Sequence, residues 1–151
     1  MSRTQTLVVF LLLVLGGGLV IGALTQPGSW YASLTKPWFS PPNWIFGPVW
    51  TALYIMIAIA GWRIYQAAPK SGAMAAWAAQ LGLNFLWSPV FFGAQRPGLA
   101  LVVLVMLLAA IIAFIALSLP RDRLSAALFV PYAAWVSFAF ILNAAIWRLN
   151  G

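Results

Sequence analysis

Histidine and cysteine are absent from the sequence, and Asp122 is its only acidic residue. Without imidazole or thiol groups, the chain lacks the usual metal ligands and any Ser-His-Asp or Cys-His catalytic set. One carboxylate cannot supply the paired acids of glycosidase-type chemistry. Asp122 also lies between Arg121 and Arg123 in a predicted loop, which excludes an intramembrane carboxylate proton relay. We therefore predict no metal site and no acid–base catalytic residues.

Charged residues of both signs are scarce. They make up 6% of the 151 residues, whereas 64% are hydrophobic and the mean hydropathy is +0.99. A soluble domain carries about 25% charged residues, so this composition predicts an integral, multi-pass membrane protein surrounded by lipids. The net charge of +7 comes from basic residues at segment ends, where they meet lipid headgroups. No basic run is interleaved with aromatics, so we predict no nucleic-acid partner.

Five apolar segments are each close to the length of about 20 residues that a transmembrane helix needs. Because backbone groups in lipid must bond internally, all five are predicted to be helices. The predicted fold is an all-α membrane protein, a five-transmembrane-helix bundle in which residues 1–151 form a single domain. The predicted segments run from Gln5 to Thr25, Asn43 to Tyr65, Ala73 to Phe92, Gly98 to Leu119 and Leu124 to Trp147.

The first segment has an alternative interpretation as a signal peptide, because Arg3 precedes its apolar core. Its length and the lack of a small-x-small cleavage site before Pro27 favour a retained helix. With five crossings, the amino-terminal side collects more basic residues than the side that carries Lys36, Arg96 and Arg148. The positive-inside rule then favours a cytoplasmic amino terminus in a bacterial membrane. An outer-membrane or mitochondrial location would void that rule.

The stretch from Trp30 to Trp50 contains four prolines and several tryptophans between two apolar segments. Proline blocks helix continuation and favours extended or turn geometry. Tryptophan suits a boundary between water and an apolar phase, or a lined pocket. We predict that the first loop, through Pro42, is a Pro/Trp-rich lid, that Trp44 marks the membrane interface, and that Trp50 belongs to a cavity wall.

Polar and aromatic residues recur at helical spacing in the second, third and fifth segments. With a rise of 1.5 Å per residue, Trp50, Asn84 and Trp135 lie roughly 10, 13 and 18 Å from the same membrane face. That face carries the lid, so one aromatic and amide-lined cavity is predicted beneath it. The residues that share these faces are Trp50 with Tyr54, then Gln80, Asn84, Trp87 and Ser88, and then Trp135, Ala139 and Asn143.

Simpler explanations exist for several of these residues. Amide side chains such as that of Asn84 often only bridge membrane helices, at about 0.6 to 2 kcal/mol each. Trp44 and Trp147 fit interfacial anchors. Arg63 and Arg148 are interpreted as helix-end residues whose side chains reach the interface.

Small residues on the first and third helices permit close helix approach. They include Gly16, Gly17, Gly18 and Gly22 on the first helix and Ala75, Ala78, Ala79 and Gly82 on the third. Packing within the monomer explains them, and a homodimer through the third helix is the alternative that we predict. Pro131 is predicted to kink the fifth helix near the cavity.

Several motifs together resemble one family. The first is Trp30-Tyr31-x-x-Leu34-x-Lys36-Pro37-x-x-x-Pro41-Pro42, followed by Pro48-x-Trp50-x-x-Leu53-Tyr54. The third helix carries Gln80-Leu81-x-Leu83-Asn84-x-x-Trp87-x-Pro89-x-Phe91-Phe92-Gly93. The fifth carries Val130-Pro131-Tyr132-x-x-Trp135-x-x-Phe138-Ala139, Leu142-Asn143 and Trp147-Arg148. In this order, along nearly the whole chain, they resemble the TspO/translocator protein family of tryptophan-rich sensory proteins and peripheral-type benzodiazepine receptors.

The resemblance implies a dimeric five-helix protein with a cavity beneath the first loop. Members bind porphyrins such as protoporphyrin IX, and isoquinoline or benzodiazepine-type drugs, and animal members also bind cholesterol. The cholesterol-recognition pattern needs a Tyr between Leu142 and Arg148, where this chain has none, so sterol binding is not predicted from it. The predicted ligand-binding residues are Tyr31, Trp38, Trp50, Tyr54, Asn84, Trp87, Trp135, Ala139 and Asn143.

Three functional hypotheses follow. The first is a porphyrin-binding carrier or sensor that requires no cofactor, and with no His or Cys it should bind metal-free porphyrin at least as well as haem. Lys36 on the lid is a candidate partner for a propionate. The second is a light- and oxygen-dependent porphyrin-degrading enzyme, in which Trp50 and Trp135 would take part, as the resemblance implies. The third is an exporter, which lacks any intramembrane charge for ion coupling. A lipid or sterol-binding role is a further alternative.

Overall fold

The computed structural model describes all residues from Met1 to Gly151, and every regular element in it is helical. Four helices, α1, α3, α5 and α6, are long and apolar enough to cross a membrane. The α-helical part of α4 has 17 residues and continues as a π-helical turn over Pro89–Gly93. The six helices are α1 Arg3–Leu24, α2 Ser29–Ser33, α3 Asn43–Ala67, α4 Gly72–Ser88, α5 Pro97–Ser118 and α6 Arg123–Asn150.

The prediction of an all-α membrane protein is confirmed, and each long helix begins and ends within four residues of its predicted bounds. Local chemistry explains the ends. At the start of α1, Ser2 and Gln5 form a reciprocal capping box, and at the start of α4 the Ser71 hydroxyl accepts from the Met74 amide. Such bonds satisfy amide groups that have no partner inside the helix.

The fifth transmembrane segment is interrupted at Phe129, two residues before Pro131. The kink predicted at Pro131 stays a prediction. Pro131 lies in the first turn of the helical stretch Val130–Asn150. A proline has no N–H to bond the carbonyl four residues earlier, so it fits a first turn without loss. The irregularity therefore falls just before the proline.

Packing contacts order the long helices around the bundle as α1, α3, α6, α5 and α4, with α4 returning to α1. The larger apolar core lies among α1, α3, α4, α5 and α6 and includes Ile57, Trp77 and Phe114. A smaller cluster lies at the end that carries the first loop, where Tyr31 packs with Phe91 and other apolar residues. The bundle is therefore filled at one end and closed by the loop at the other.

Two glycine positions allow close contact between helices. At Gly61 on α3, an added Cβ would overlap the Trp77 ring of α4, whose Nε1 donates to the Ile57 carbonyl oxygen at 2.9 Å. At Gly18 on α1, an added Cβ would overlap the Tyr54 ring of α3. Glycine is needed at both positions because a side chain would force the aromatic rings away.

Arg63, interpreted as a helix-end residue whose side chain reaches the interface, also forms an ion pair that the sequence did not predict. Its Nε donates to Asp122 Oδ2 at 2.7 Å, and its terminal nitrogen donates to Oδ1 at 3.0 Å. The Ser125 hydroxyl also donates to Asp122. These bonds to Arg63 and Ser125 lower the pKa of Asp122 to about 2, with Arg63 as the main cause. The pair fastens α3 to the loop before α6.

Small residues leave an open face on α4. Ala75, Ala78, Ala79 and Gly82 are exposed, and nothing lies within 4 Å of a Cβ added at Gly82. This face packs against no other part of the chain. The homodimer through this helix stays a prediction.

Candidate ligand-binding site

A cavity of about 540 Å³ lies among the helix ends beneath the first loop. Its volume is within the range of about 300–1,000 Å³ that is usual for small-molecule sites. The structure brings eight of the nine predicted ligand-binding residues to its wall. They are Tyr31, Trp50, Tyr54, Asn84, Trp87, Trp135, Ala139 and Asn143.

Trp38 is the exception, and its predicted place in the cavity is wrong. Its side chain is 93% exposed and does not line the cavity. The amide of Ser40 bonds to the carbonyl oxygen of Pro37 at 3.1 Å, which places Trp38 at the tip of a tight turn. Only the Phe39 ring stacks on it, edge-on at 5.6 Å. A residue at a turn tip points outward, and proline spacing alone could not reveal that direction.

Aromatic rings form much of the cavity wall. Trp50 stacks in a tilted arrangement with Tyr54, with ring centroids 5.4 Å apart. Trp135 lies edge-on to Phe46 at 5.9 Å. Such pairs hold the indole rings in fixed orientations. Phe46 was missed from the sequence, although it lies one turn before Trp50 on the same face of α3.

A chain of hydrogen bonds connects α3, α4 and α6 at the floor of the cavity. The Tyr54 hydroxyl donates to Asn84 Oδ1 at 3.1 Å, and Asn84 Nδ2 donates to the Tyr132 hydroxyl oxygen at 2.7 Å. The Tyr132 hydroxyl in turn donates to Gln80 Oε1 at 2.7 Å. Asn84 therefore bridges helices and lines the cavity at the same time. Tyr132 was missed because its own position faces the core rather than the cavity.

A second polar group joins α4, α5 and α6. Trp87 Nε1 donates to Asn143 Oδ1 at 3.0 Å, and Asn143 Nδ2 donates to the carbonyl oxygen of Pro97 at 2.9 Å. Two buried donors have no partner, Trp135 Nε1 in the cavity-lining indole and Gln80 Nε2. Buried donors usually find an acceptor. The cavity wall is thus apolar, with few polar groups in fixed positions.

The first loop is fastened over the cavity. The Thr35 amide donates to Asn150 Oδ1 at 2.9 Å, and Asn150 Nδ2 donates back to the Thr35 carbonyl oxygen at 2.8 Å. Lys36 Nζ donates to the Tyr31 carbonyl oxygen at 2.8 Å and lies 4.4 Å from the centroid of the Tyr31 ring. Burial also raises the pKa of the Tyr31 hydroxyl. Lys36 is therefore engaged within the loop.

Part of the wall comes from α1, which sequence reasoning did not include. Gly18, Ile21, Gly22 and Thr25 line the cavity. The Thr25 hydroxyl lies 2.6 Å from the Ser88 hydroxyl of α4 and donates to the Ile21 carbonyl oxygen at 2.6 Å. The spacing of small residues on α1 is the feature of the sequence that could have indicated a cavity wall, but the same spacing is also typical of helix packing.

The fold and the cavity define a class of protein: an integral membrane helix bundle with a loop-covered, tryptophan-rich pocket. Within that class, the TspO/MBR family profile matches residues 9–148, and the chain belongs to this family. The resemblance inferred from the motifs is thereby confirmed.

Individual relatives support the same assignment. Protein CrtK of Rhodobacter capsulatus is 40% identical over 154 residues, which cover 99% of this chain and 95% of that protein. The tryptophan-rich sensory protein of Cereibacter sphaeroides is 38% identical, with coverage of 99% and 95%. The translocator protein of Homo sapiens is 36% identical over 126 residues, which cover 80% and 75%.

Proposed function

We propose that this protein binds tetrapyrroles of the protoporphyrin IX type in the cavity and acts as a membrane carrier or sensor. The observation that carries the proposal is the cavity wall, where Trp50, Trp87 and Trp135 surround about 540 Å³ of space. A flat aromatic macrocycle gains stacking and apolar contact from such rings. The same features suit isoquinoline or benzodiazepine-type drugs.

Metal-free porphyrin should bind at least as well as haem. No His or Cys exists in the chain, and none of its four methionines lines the cavity. Tyr31 and Tyr54 line it, and the Tyr54 hydroxyl donates to Asn84. Axial ligation would therefore require either the loss of this hydrogen bond or the deprotonation of the Tyr31 hydroxyl, whose pKa is raised by burial. Titrations with protoporphyrin IX and with haem in the same detergent or nanodisc compare the two affinities, and the Kd for protoporphyrin IX should not exceed that for haem.

Porphyrin titration tests the proposal. Loss of the stacked ring in Trp50→Ala or Trp135→Ala should weaken binding of protoporphyrin IX about 5- to 150-fold, because stacking on one aromatic ring contributes about 1–3 kcal/mol. The readout should be the porphyrin absorbance band, since each substitution also removes a fluorescent tryptophan.

Trp44→Phe is the matched control. Trp44 is 73% exposed and lies outside the cavity wall, so this variant should keep wild-type affinity. Equal affinity in the wild type and in a Trp50→Ala, Trp135→Ala double variant would contradict the site.

A second candidate is light-dependent porphyrin breakdown, favoured by the presence of two oxidisable indoles, Trp50 and Trp135, in the cavity wall. The printed names of the relatives describe sensory and translocator proteins, which leans against an enzyme. Without an acid–base pair, the reaction would depend on light-excited porphyrin and dioxygen. Bleaching of porphyrin should then need both light and Trp135, and equal bleaching in detergent alone would eliminate this candidate.

A further inference from the structure

The first and third helices separate beside the cavity. From Arg3 to Gly16, α1 packs against α3, but over Gly17–Leu24 its packing partner is α4. No residue of Gly17–Leu24 is buried, although the cavity is lined by Gly18, Ile21 and Gly22 of this part of α1. The upper part of α1 is therefore a thin wall with little packing behind it.

Two glycines mark the place where the helices part. Gly18 contacts the Tyr54 ring of α3, but one turn later nothing lies within 4 Å of a Cβ added at Gly22. Gly47 on α3 also has nothing within 4 Å of an added Cβ. Both Gly22 and Gly47 line the cavity. Both residues are exposed, so the cavity wall has free space at Gly22 and at Gly47, beyond the contact of Gly18 with Tyr54.

The outer side of this opening is apolar. Leu19, Val20 and Leu24 beside it on α1 are 75%, 57% and 76% exposed. Side chains of this kind at a transmembrane helix face acyl chains rather than water. On the aqueous side, by contrast, the first loop is fastened by the paired bonds between Thr35 and Asn150. The cavity is therefore less obstructed toward lipid than toward water.

We propose that α1 and α3 leave a gap between Gly22 and Gly47, and that this gap is a lateral entrance through which an apolar ligand reaches the cavity directly from the bilayer. The first loop then stays closed while the ligand enters and leaves. A flat hydrophobic molecule partitions into lipid before it meets the protein, so its concentration is highest at this entrance. This inference rests on the proposed function for the identity of the ligand, but the access route can be measured without any porphyrin.

Thiol labelling measures the route. The chain has no cysteine, so Ala139→Cys places a single thiol in the cavity wall. Pyrene maleimide dissolved in phosphatidylcholine vesicles should label this thiol, and a charged, water-soluble methanethiosulfonate reagent should label it slowly. Each rate is expressed relative to Leu19→Cys, a lipid-facing position on α1.

Blocking variants identify the gap. Gly22→Leu and Gly47→Leu each place a side chain where the structure has free space, and each should slow pyrene maleimide labelling at least about tenfold. Gly16→Leu on α1 is the control, because Gly16 lies outside the cavity wall and a Cβ added there meets nothing within 4 Å. This variant should leave the rate of pyrene maleimide labelling within about twofold of the unblocked protein. Charged reagent that labels as fast as the apolar one, or a rate unchanged in both blocking variants, would overturn the lateral entrance.

Porphyrin kinetics add an independent outcome. If the gap is the entrance, Gly22→Leu should lower the association and the dissociation rate constants for protoporphyrin IX together. A changed Kd with unchanged rates of thiol labelling would mean that Gly22 contacts the ligand and that the route lies elsewhere. Wild-type protein that fails to bind porphyrin would refute the proposed function, while the labelling experiment would still decide the entrance.

Discussion

At the scale of single residues, the amide of Asn84 is oriented by its neighbours. Its oxygen accepts from Tyr54 and its nitrogen donates to Tyr132, which in turn donates to Gln80 Oε1. Both partners of this amide are hydroxyl groups, which can donate or accept, so the directions of the bonds along the chain depend on one another: Tyr132 accepts from Asn84 and donates to Gln80. The chain of bonds thereby holds α3 and α6 to α4 at the floor of the cavity.

Removal of the Tyr132 hydroxyl tests this arrangement. Tyr132→Phe leaves Asn84 Nδ2 and Gln80 Oε1 without partners in a buried environment, which should cost about 1–2 kcal/mol of unfolding free energy. Tyr65→Phe is the control, because Tyr65 is 44% exposed. Thermal unfolding in detergent should show a lower Tm for Tyr132→Phe alone. An equal Tm for both variants would mean that the bond chain does not stabilise the fold.

Gly61 sets the distance between α3 and α4. In Gly61→Ala the new methyl group overlaps the Trp77 ring, so we expect a loss of about 1–3 kcal/mol from overpacking, despite the better helix propensity of alanine. At Gly16 nothing lies within 4 Å of an added Cβ, so Gly16→Ala should leave the stability unchanged or raise it. Tm values in the same detergent compare the two. A Gly61→Ala protein as stable as wild type would contradict the tight contact.

Spacing along a helix predicted which side chains line the cavity, because it determines the direction in which they point. Trp50, Asn84 and Trp135 reach the cavity because helical geometry fixes both their face and their depth. Trp38 was misplaced because a turn, unlike a helix, gives its residues no repeating direction. Tyr132 was missed because its contact with Asn84 is known only once α4 and α6 are packed together.

At the scale of elements, one ion pair fastens α3 to the loop between α5 and α6. Arg63 and Asp122 form two hydrogen bonds, and Asp122 lies just before α6 begins. An exposed ion pair contributes about 1 kcal/mol or less to the free energy of unfolding. A pair joined by two hydrogen bonds lies toward the upper end of that range. Local sequence pairs Asp122 with its neighbours Arg121 and Arg123, so this long-range partner could not be predicted.

Stability toward acid reports on this pair. Because the pKa of Asp122 is about 2 in the folded protein and about 3.9 when unfolded, the pair stabilises the fold above about pH 4. That stabilisation is lost as the pH falls through the folded pKa. Asp122 is the only acidic side chain, so Tm in a non-ionic detergent should fall between about pH 4 and 2. Asp122→Asn should lower Tm at pH 7 and reduce the fall of Tm on acidification. If Tm fell with pH in this variant as it does in the wild type, Asp122 would not be the group responsible.

At the scale of the whole molecule, the exposed small-residue face of α4 bears on assembly. Ala75, Ala78, Ala79 and Gly82 allow close approach of a second helix. We expect a homodimer through this face, and Gly82→Leu should shift it toward monomers in nanodiscs or detergent. Gly16→Leu on α1 is the control. Equal dimer fractions in both variants, measured by analytical ultracentrifugation, would place the contact elsewhere.

The overall architecture was largely predictable from the sequence. Long apolar runs separated by Pro69, Pro97 and Pro120 define the helices, because lipid leaves the backbone no alternative. The separation of α1 from α3 beyond Gly18 was not predictable. It depends on where two helices lie in space, and a glycine in a sequence is equally compatible with close packing and with open space.

If the cavity holds a tetrapyrrole in the membrane, as we propose, the ligand should accompany the protein during purification. It can be detected by mass spectrometry of the small molecules that co-purify with the protein from its native membrane. A tetrapyrrole mass should appear with the wild type and be depleted from a Trp50→Ala, Trp135→Ala double variant. Phospholipid alone with both proteins, under conditions in which added protoporphyrin IX also fails to bind, would contradict the proposal.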